Sequence, residues 1–224
     1  EKRAHCVFEY IYFARLDSKI DNISVYEARI RGGATLAKTY PVDADLVCGV
    51  PDSGLASAKG YSEESGIPFG LAFHKNSYVG RTFIKPKQSS RESSVRVKLN
   101  VLREAVEGKR VIMIDDSIVR GTTSDRIVHM LREAGAKEVH MRVSSPPFLW
   151  PCYFGTDVPA REQLIAYNRT VEEIRQVIGA DSLGYLDCSR LRQMAGDLPI
   201  CTGCFTGNYP LDPPMEDIRG EFEQ

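Results

Sequence analysis

One short stretch of the 224-residue chain restricts its fold more than any other. Residues 111–114 read Val-Ile-Met-Ile, a continuous apolar run typical of a strand that is buried on both faces of a parallel sheet. Two acids, Asp115 and Asp116, follow at once, and Gly121 then permits a tight turn before the next helix. A buried strand that passes into a helix through such a turn is typical of α/β proteins.

The rest of the chain alternates between strand and helix patterns. Strands are predicted at 5–13, 45–50, 69–73, 110–114 and 138–143, and helices at 24–39, 55–64, 95–107, 122–134 and around 171–178. This alternation predicts an α/β fold in which helices cover both faces of a parallel sheet. The polar segment 75–94 lacks helical or strand periodicity and is expected to be a functional lid or disordered, and the Pro-rich residues 199–224 are expected to form an irregular C-terminal tail.

The composition argues against two classes of protein. Lys and Arg total 29 and Asp and Glu total 30, so the formal net charge is -1. Proteins that bind nucleic acids or membrane surfaces usually carry excess positive charge, so we expect neither partner. No apolar run approaches the ~18 residues of a membrane span, and residues 1–3 lead into no signal sequence. A cytoplasmic protein is therefore expected.

The acid pair and the glycine turn together predict a ligand site. Ligands of open parallel sheets bind beyond the carboxyl ends of the strands, where a helix N-terminus offers N–H groups to a phosphate. Ser117, Thr122 and Thr123 add hydroxyl groups, and one of the two threonines is expected to cap the helix. Asp115 and Asp116 would repel each other unless they face sugar hydroxyls or a divalent cation. A ribose phosphate meets both requirements.

Residues 111–123 resemble the motif with which type I phosphoribosyltransferases bind phosphoribosyl pyrophosphate (PRPP). The flanking segments are similar, more specifically, to the amidophosphoribosyltransferase family. That similarity rests on residues 3–14, 76–84, 94–100 and 115–124. The resemblance implies a type I phosphoribosyltransferase-like domain over residues 1–198, followed by a tail over residues 199–224 that carries a Cys-x-x-Cys pair. It also implies a flexible lid loop over residues 75–98.

The same resemblance implies a reaction and its partners. In this family ammonia replaces the pyrophosphate of PRPP and forms phosphoribosylamine, which is the first step of purine biosynthesis. Family members carry a glutamine-hydrolysing half that begins with a catalytic cysteine, whereas position 1 here is Glu. We therefore expect this chain to use ammonia and not to hydrolyse glutamine. A glutaminase domain or subunit, inhibitory purine nucleotides and further copies of the chain are the other partners implied.

The resemblance also assigns roles to individual residues. Asp115 and Asp116 are implied to bind the ribose hydroxyls and the surroundings of a Mg²⁺ ion, and Ser53 to complete the magnesium site, since this ion prefers oxygen ligands. The implied PRPP-binding residues are Asp52, Ser53 and Gly54 in a pyrophosphate loop, and Ser117, Ile118, Val119, Arg120, Gly121, Thr122 and Thr123 around the 5′-phosphate. In the lid, Tyr78, Arg81 and Lys98 are implied to contact the substrate and to join the two acids as catalytic residues.

The six cysteines form two groups. Cys48 lies in an apolar run and Cys188 has no local partner, so both are expected to be structural. The pair Cys201 and Cys204 is, taken alone, compatible with half of a zinc site, a redox pair or chance. One branch of the family holds a 4Fe–4S cluster on four thiolates, and the positions that match it here are Cys6, Cys152, Cys201 and Cys204. Zinc on the same four sulfurs is the alternative.

Two other functions remain open from the sequence. The chain could be a catalytically silent module that senses PRPP or a nucleotide, since some transcriptional regulators resemble phosphoribosyltransferases. It could also be a nucleobase phosphoribosyltransferase of the salvage type. The first alternative does not explain why both phosphate loops and the lid resemble those of the enzymes, and the second does not explain the dispersed cysteines.

Overall fold

The computed structural model describes residues 3–76, 99–156, 158 and 160–212. Most of the predicted lid, including Tyr78, Arg81 and Lys98, lies outside the described residues. Within the described residues, none of the helices is both long enough and apolar enough to cross a bilayer.

The strands in chain order are β1 (His5–Cys6), β2 (Lys19–Ile20), β3 (Ile23–Ser24), β4 (Leu46–Gly49), β5 (Phe73–Lys75), β6 (Leu99–Val101), β7 (Arg110–Asp115), β8 (Glu138–Val143), β9 (Ser182–Tyr185) and β10 (Ile200–Cys201). The helices are α1 (Val25–Thr39), α2 (Gly54–Ser65), α3 (Arg103–Val106), α4 (Thr122–Glu133), α5 (Val171–Val177), α6 (Leu191–Met194) and α7 (Gly203–Thr206).

Four parallel strands form the central sheet, in the order β4-β7-β8-β9. Strand β7 therefore lies inside the sheet, paired with β4 on one side and β8 on the other. All four residues of β4, and all of β7 after Arg110, are buried, as expected for strands covered on both faces. Strand β9 was not predicted, because the Ser-Leu-Gly-Tyr sequence at 182–185 has only a short apolar pattern.

Successive side chains of β7 enter two different apolar clusters, since side chains alternate between the faces of a strand. Val111 and Met113 pack with residues of α4 and α5, whereas Ile112 and Ile114 pack with residues of α1 and α2. Helices thus cover both faces of the sheet, and the predicted fold class is confirmed. The layers hold the carboxyl end of β7 in place from both sides.

The start of the chain differs from its prediction as a strand over residues 5–13. Only His5–Cys6 is extended, and Glu9–Phe13 forms a π-helical turn. The buried Arg29 explains the turn, because its guanidinium donates to the carbonyl oxygens of Tyr10, Tyr12 and Ala14. These carbonyls can converge on one cation only if the chain curls, so a tertiary contact outweighs the β-propensity of the aromatic residues.

Two further predictions are wrong in detail around the lid. The predicted strand at 69–73 contributes one parallel bridge, between Phe69 and Val47, and the regular strand β5 begins only at Phe73. The predicted helix at 95–107 contains strand β6, and its helical part is the single turn α3. Strands β5 and β6 form an antiparallel pair that flanks residues 77–98 in sequence. Antiparallel pairing between two segments so far apart in sequence leaves no periodic trace in either of them.

The described part of the tail is only partly irregular. Strand β10 pairs in parallel with β1, which aligns Cys6 with Cys201. Phe205 of α7 is 3% exposed and contacts the ring of Phe148, with ring centroids 5.0 Å apart. The tail and the N-terminal segment are therefore packed onto the same part of the molecule.

Candidate functional site

The carboxyl end of β7 carries two buried carboxyl groups. Asp115 is 7% exposed and Asp116 9% exposed. The backbone carbonyl of Asp115 accepts hydrogen bonds from the N–H group of Ser144, at 2.9 Å, and from the Ser144 hydroxyl, at 3.2 Å. Strand β8 therefore fixes the backbone at the point where the chain leaves the sheet.

The side chains of Ser53 and Ser117 meet at Asp116. The hydroxyl of Ser53 donates to Asp116 Oδ1 at 2.5 Å, and the hydroxyl of Ser117 donates to Asp116 Oδ2 at 2.6 Å. Ser53 occupies the N-cap position of α2 but forms no side-chain capping bond there. Its hydroxyl faces the acid pair instead, which joins the loop before α2 to the loop after β7.

Gly54 explains how closely these two loops approach. A Cβ atom at position 54 would lie 2.4 Å from the carbonyl oxygen of Ile114, which is closer than real Cβ atoms come. Only glycine allows the start of α2 to contact the end of β7 at this distance. The neighbouring Asp52 is exposed and forms an ion pair with Lys75 of β5.

The environment of Asp115 disfavours its charged form. Burial raises the pKa of the Asp115 carboxyl well above its usual value, and the negative charge of Asp116 raises it further. The N–H group of Asp116 donates to Asp115 Oδ1 at 2.9 Å and offsets part of this effect. Two adjacent buried acids of this kind are stabilised by a cation or by hydroxyl donors, which is the chemistry of a sugar or a metal ion.

The turn after the acid pair has the backbone shape expected for an anion-binding loop. Gly121 adopts the left-handed conformation, with φ 83°, at the N-cap position of α4. The prediction that Thr122 or Thr123 caps this helix is wrong, because both are helical residues and the N-cap forms no side-chain hydrogen bond. Since Gly121 has no side chain, the first N–H groups of α4 are not covered by a capping oxygen, and both threonines are exposed.

A second feature lies at the junction of the N-terminus and the tail. Cys6, Cys152, Cys201 and Cys204 all border one cavity of about 1010 Å³, together with aromatic and apolar side chains that include Phe8, Phe13, Phe148 and Phe154. The structure thus brings together the four cysteines that the resemblance selected. Asp115 and Asp116 do not border this cavity, so it is separate from the strand-end site.

Cys6, Cys152 and Cys204 differ in their ease of ionisation. Burial raises the pKa values of Cys6 and Cys204, and the neighbouring cysteines raise them further. Burial also acts to raise the pKa of Cys152, but hydrogen bonds from three backbone N–H groups and from Thr156 outweigh it, so this pKa lies below its usual value. Cys152 is therefore the thiol that ionises most readily among these three.

The cysteines around the cavity do not form a compact metal-binding group among the described residues. Among the described residues, no three His, Cys, Asp or Glu side chains are grouped closely enough to hold one metal ion. The other two cysteines lie elsewhere: Cys48 is fully buried in β4, as predicted, and Cys188 is half-buried against the apolar cluster that contains Ile112.

Comparison with known proteins decides the family. The family description "Phosphoribosyl transferase domain" matches residues 21–145, which include the acid pair, the turn at Gly121 and the loop at Ser53. The chain belongs to this family. The acid pair, Ser53 and the glycine turn thus all lie within the part of the chain that matches the family.

Individual proteins that are similar over nearly the whole chain are named amidophosphoribosyltransferases. The amidophosphoribosyltransferase of Archaeoglobus fulgidus is 57% identical over 223 residues, which cover 98% of this chain and 49% of that protein. The amidophosphoribosyltransferase of Bacillus subtilis is 54% identical over 216 residues, which cover 94% of this chain and 45% of that protein. The chain thus spans about half the length of the curated relatives it matches.

Solved structures agree with this assignment. The glutamine PRPP amidotransferase from B. subtilis, complexed with ADP and GMP, has a TM-score of 0.87 and 53% identity, covering 96% of this chain and 48% of that one. A structure described as the allosteric regulatory enzyme of purine biosynthesis also has a TM-score of 0.87 and 53% identity, with 96% and 47% covered.

Two contacts to the loop after the acid pair were not predicted from the sequence. The N–H group of Ile165 donates to the carbonyl oxygen of Val119 at 2.8 Å, and Gln163 Oε1 accepts from Arg120 Nη2 at 2.9 Å. Both residues lie more than 40 positions beyond the loop residues that they contact, in a segment without a recognisable pattern. Nothing in the local sequence indicates that they contact it.

Proposed function

We propose that this chain is the phosphoribosyltransferase part of an amidophosphoribosyltransferase. It converts PRPP and ammonia into phosphoribosylamine and pyrophosphate, the first step of purine biosynthesis. One observation supports this most: Ser53 and Ser117 both donate to Asp116, beside the buried Asp115, at the carboxyl end of β7. This edge of a parallel sheet is where substrates bind, and the similarity to amidophosphoribosyltransferases identifies the substrate class.

In this proposal, Asp115 and Asp116 bind the ribose hydroxyls, and with Ser53 they hold a Mg²⁺ ion. The donors fit this ion, since all of them are oxygens and two belong to adjacent buried carboxyl groups. When bound, Mg²⁺ would neutralise charge on the pyrophosphate as it leaves.

The two loops divide the phosphate groups of PRPP between them. Asp52, Ser53 and Gly54 bind the pyrophosphate, and the residues from Ser117 to Thr123 bind the 5′-phosphate. The exposed first turn of α4 supports the second assignment, because its N–H groups and the helix dipole attract an anion. Tyr78, Arg81 and Lys98 are proposed to close over the substrate and exclude water.

No general base is required in this reaction. Neutral ammonia is already a nucleophile, and pyrophosphate is a good leaving group when its charge is neutralised. The chain would accelerate the reaction by holding the ribose ring and both phosphate groups in fixed positions, and by stabilising the charge that develops on the leaving group.

A turnover assay on the 224-residue chain tests the proposal. Pyrophosphate release from PRPP should require Mg²⁺ and ammonium, and glutamine alone should not support it. Asp116→Asn should lower kcat by about 10²-fold or more, because it removes charge next to the reacting sugar. The matched control is Asp17→Asn, which removes a carboxylate from an exposed ion pair with Arg15 and should leave the rate unchanged.

Other outcomes of this assay favour the alternatives. Binding of PRPP without release of pyrophosphate under any condition would indicate a sensing module. Turnover that depends on a nucleobase would indicate a salvage phosphoribosyltransferase. Equal or faster turnover with glutamine alone would contradict the use of ammonia.

We further propose that Cys6, Cys152, Cys201 and Cys204 hold a 4Fe–4S cluster. Four thiols border one cavity and match the donor set of such a group. The cluster would link β1, the loop at Cys152 and the tail, and so stabilise this part of the molecule.

Anaerobic purification tests the cluster. The protein should be brown and contain about four iron and four sulfide ions per chain. Cys152→Ser should abolish the colour, whereas Cys188→Ser, which changes a half-buried cysteine outside the cavity, should retain it. A colourless protein that contains zinc, with the same dependence on Cys152, would support the zinc alternative.

The other proposed partners are based on the proteins to which this chain is similar. The B. subtilis structure contains ADP and GMP, so we propose that purine nucleotides inhibit this chain as well. The relatives are about twice as long, and we propose that a glutaminase domain or subunit supplies ammonia and that the assembly is a homo-oligomer in the cytoplasm. In the domain organisation proposed, residues 1–198 form the phosphoribosyltransferase domain and residues 199–224 its tail.

A further inference from the structure

We infer that residues 161–165, which we call the brace, position the 5′-phosphate loop and set the phosphate affinity of the site. This inference rests on the proposed function, since it assigns the loop at 117–123 to the 5′-phosphate of PRPP. The brace contains one 3₁₀ turn, Arg161–Gln163, and ends at the buried Ile165.

The brace contacts three consecutive residues of the loop. The N–H group of Ile165 donates to the carbonyl oxygen of Val119 at 2.8 Å. Gln163 Oε1 accepts from Arg120 Nη2 at 2.9 Å. The Cδ1 atom of Ile165 lies 2.2 Å from the place where a Cβ at Gly121 would be, so this methyl group fills the space beside the turn.

The far end of the brace is held firmly. The guanidinium of Arg161 lies 3.5 Å above the ring of Trp150 and 4.8 Å from the ring of Tyr167. Its Nε atom also donates to the carbonyl oxygen of Leu149 at 3.0 Å. A cation held by two rings and a carbonyl is fixed in position, so the brace can hold the loop instead of moving with it.

The chemistry of Gln163 indicates why the contact affects affinity. Arg120 is the cationic side chain of the loop, and an arginine can bind a phosphate through two parallel hydrogen bonds. An amide oxygen holds the guanidinium in place without neutralising its charge, so the full charge remains available to a phosphate that carries nearly two negative charges. A carboxylate at position 163 would compete with the phosphate for Arg120.

Ligand binding separates this role from a general structural one. Two ligands, ribose 5-phosphate and magnesium pyrophosphate, are titrated into the 224-residue protein by calorimetry. Gln163→Ala should weaken ribose 5-phosphate binding about fivefold, the value of one hydrogen bond, and leave pyrophosphate binding unchanged. Gln163→Glu should weaken ribose 5-phosphate binding at least as much, although it retains the acceptor.

Ile165→Val tests the apolar contact, since it removes only the Cδ1 methyl group and is a mild core substitution. It should also weaken ribose 5-phosphate binding selectively, by about threefold, because the loop loses its packing partner. The matched controls are Gln176→Ala on α5 and Ile174→Val, whose side chain belongs to the same apolar cluster as Ile165. Neither control should change the affinity for either ligand.

The outcomes distinguish a failure of the positioning role of the brace from a failure of the proposed function. Equal losses for both ligands, unchanged affinity in the variants, or tighter ribose 5-phosphate binding in Gln163→Glu would overturn the positioning role while the proposed function stands. A wild-type protein that binds neither ligand would overturn the proposed function, and the inference that rests on it would fall as well.

Discussion

At the scale of single residues, Gly121 combines a conformational and a packing requirement. Its φ of 83° is unfavourable for a residue with a Cβ atom, and Ile165 occupies the space that this atom would need. Gly66 at the end of α2 has a similar φ of 75°, but nothing lies within 4 Å of its Cβ position. The two glycines therefore separate the conformational cost from the packing cost.

We expect Gly66→Ala to lower the free energy of unfolding by about 1 kcal/mol, which is the cost of the left-handed conformation. Gly121→Ala should lower it by about 1–3 kcal/mol more, because the new methyl group overlaps Ile165. Urea unfolding of both variants measures the difference. Equal losses of unfolding free energy in the two variants would show that the side chain of Ile165 can move aside without an energetic cost.

Asp115 illustrates a conflict between stability and function at one residue. Because burial and the charge of Asp116 raise its pKa, the native state binds the proton more tightly than the unfolded state, where the pKa is about 3.9. The stability of the protein therefore falls as the pH rises from the unfolded pKa through the higher native value, and the loss persists above it.

Asp115→Asn should remove this loss. In Mg²⁺-free buffer at pH 7, we expect a higher free energy of unfolding than in the wild type, together with lower turnover. The gain should shrink as the pH falls towards the unfolded pKa of about 3.9, below which the wild-type carboxyl is protonated in both states. Urea titrations between pH 4 and pH 8 measure it, and a gain that does not depend on pH would contradict this assignment of the pKa shift.

At the scale of elements, the short helix α5 depends on its N-terminal cap. Thr170 and Glu173 form a reciprocal capping box, in which each side chain bonds to the backbone N–H group of the other residue. A helix of seven residues is too short to be stable by itself, so the cap and the packing of Ile174 define it.

Thr170→Ala should therefore lower the free energy of unfolding by about 1 kcal/mol. The control is Thr39→Ala at the last residue of α1, where the threonine hydroxyl bonds only to the carbonyl oxygen of Thr35 within the same helix. That change should alter stability by less than about 0.5 kcal/mol. Similar losses in both variants would show that the capping box contributes nothing specific.

At the scale of the whole molecule, the acids at the two ends of the parallel strands have different partners. At the amino end, Arg110 pairs with Asp43 and Asp45, which joins the loop before β4 to the start of β7. At the carboxyl end, two serine hydroxyls donate to the carboxyl group of Asp116, and the charge of the buried Arg29 acts on it through space. The acids at the amino end thus form direct ion pairs, whereas Asp116, at the end where the substrate is proposed to bind, is hydrogen-bonded to hydroxyl groups.

The amino-end pairs should contribute to acid unfolding. Hydrogen bonds from Arg110 lower the pKa of Asp45, so its contribution to stability is present above the unfolded pKa of about 3.9 and is lost as the pH falls below it. Asp45→Asn should lower the urea midpoint at pH 7 and have little effect near pH 2. The loss in urea midpoint should be small, because the ion pair between Asp45 and Arg110 is exposed to solvent. A larger loss at low pH than at pH 7 would contradict the lowered pKa of Asp45.

The sequence by itself determined the features that are local in the chain. Apolar runs predicted β4, β7 and β8, because a strand buried on both faces requires continuous apolar residues. Motif similarity predicted the acid pair and the glycine turn, because a phosphate loop between a strand and a helix is formed by consecutive residues.

Only the tertiary structure decided which distant residues meet. Ser53 reaches Asp116 across 63 positions, the brace reaches its loop across more than 40, and the four cysteines lie in the first and last parts of the chain. The curl at Glu9–Phe13 also depends on Arg29, a residue of another helix. Such contacts arise when layers pack, and packing between distant segments leaves no periodic pattern in either segment.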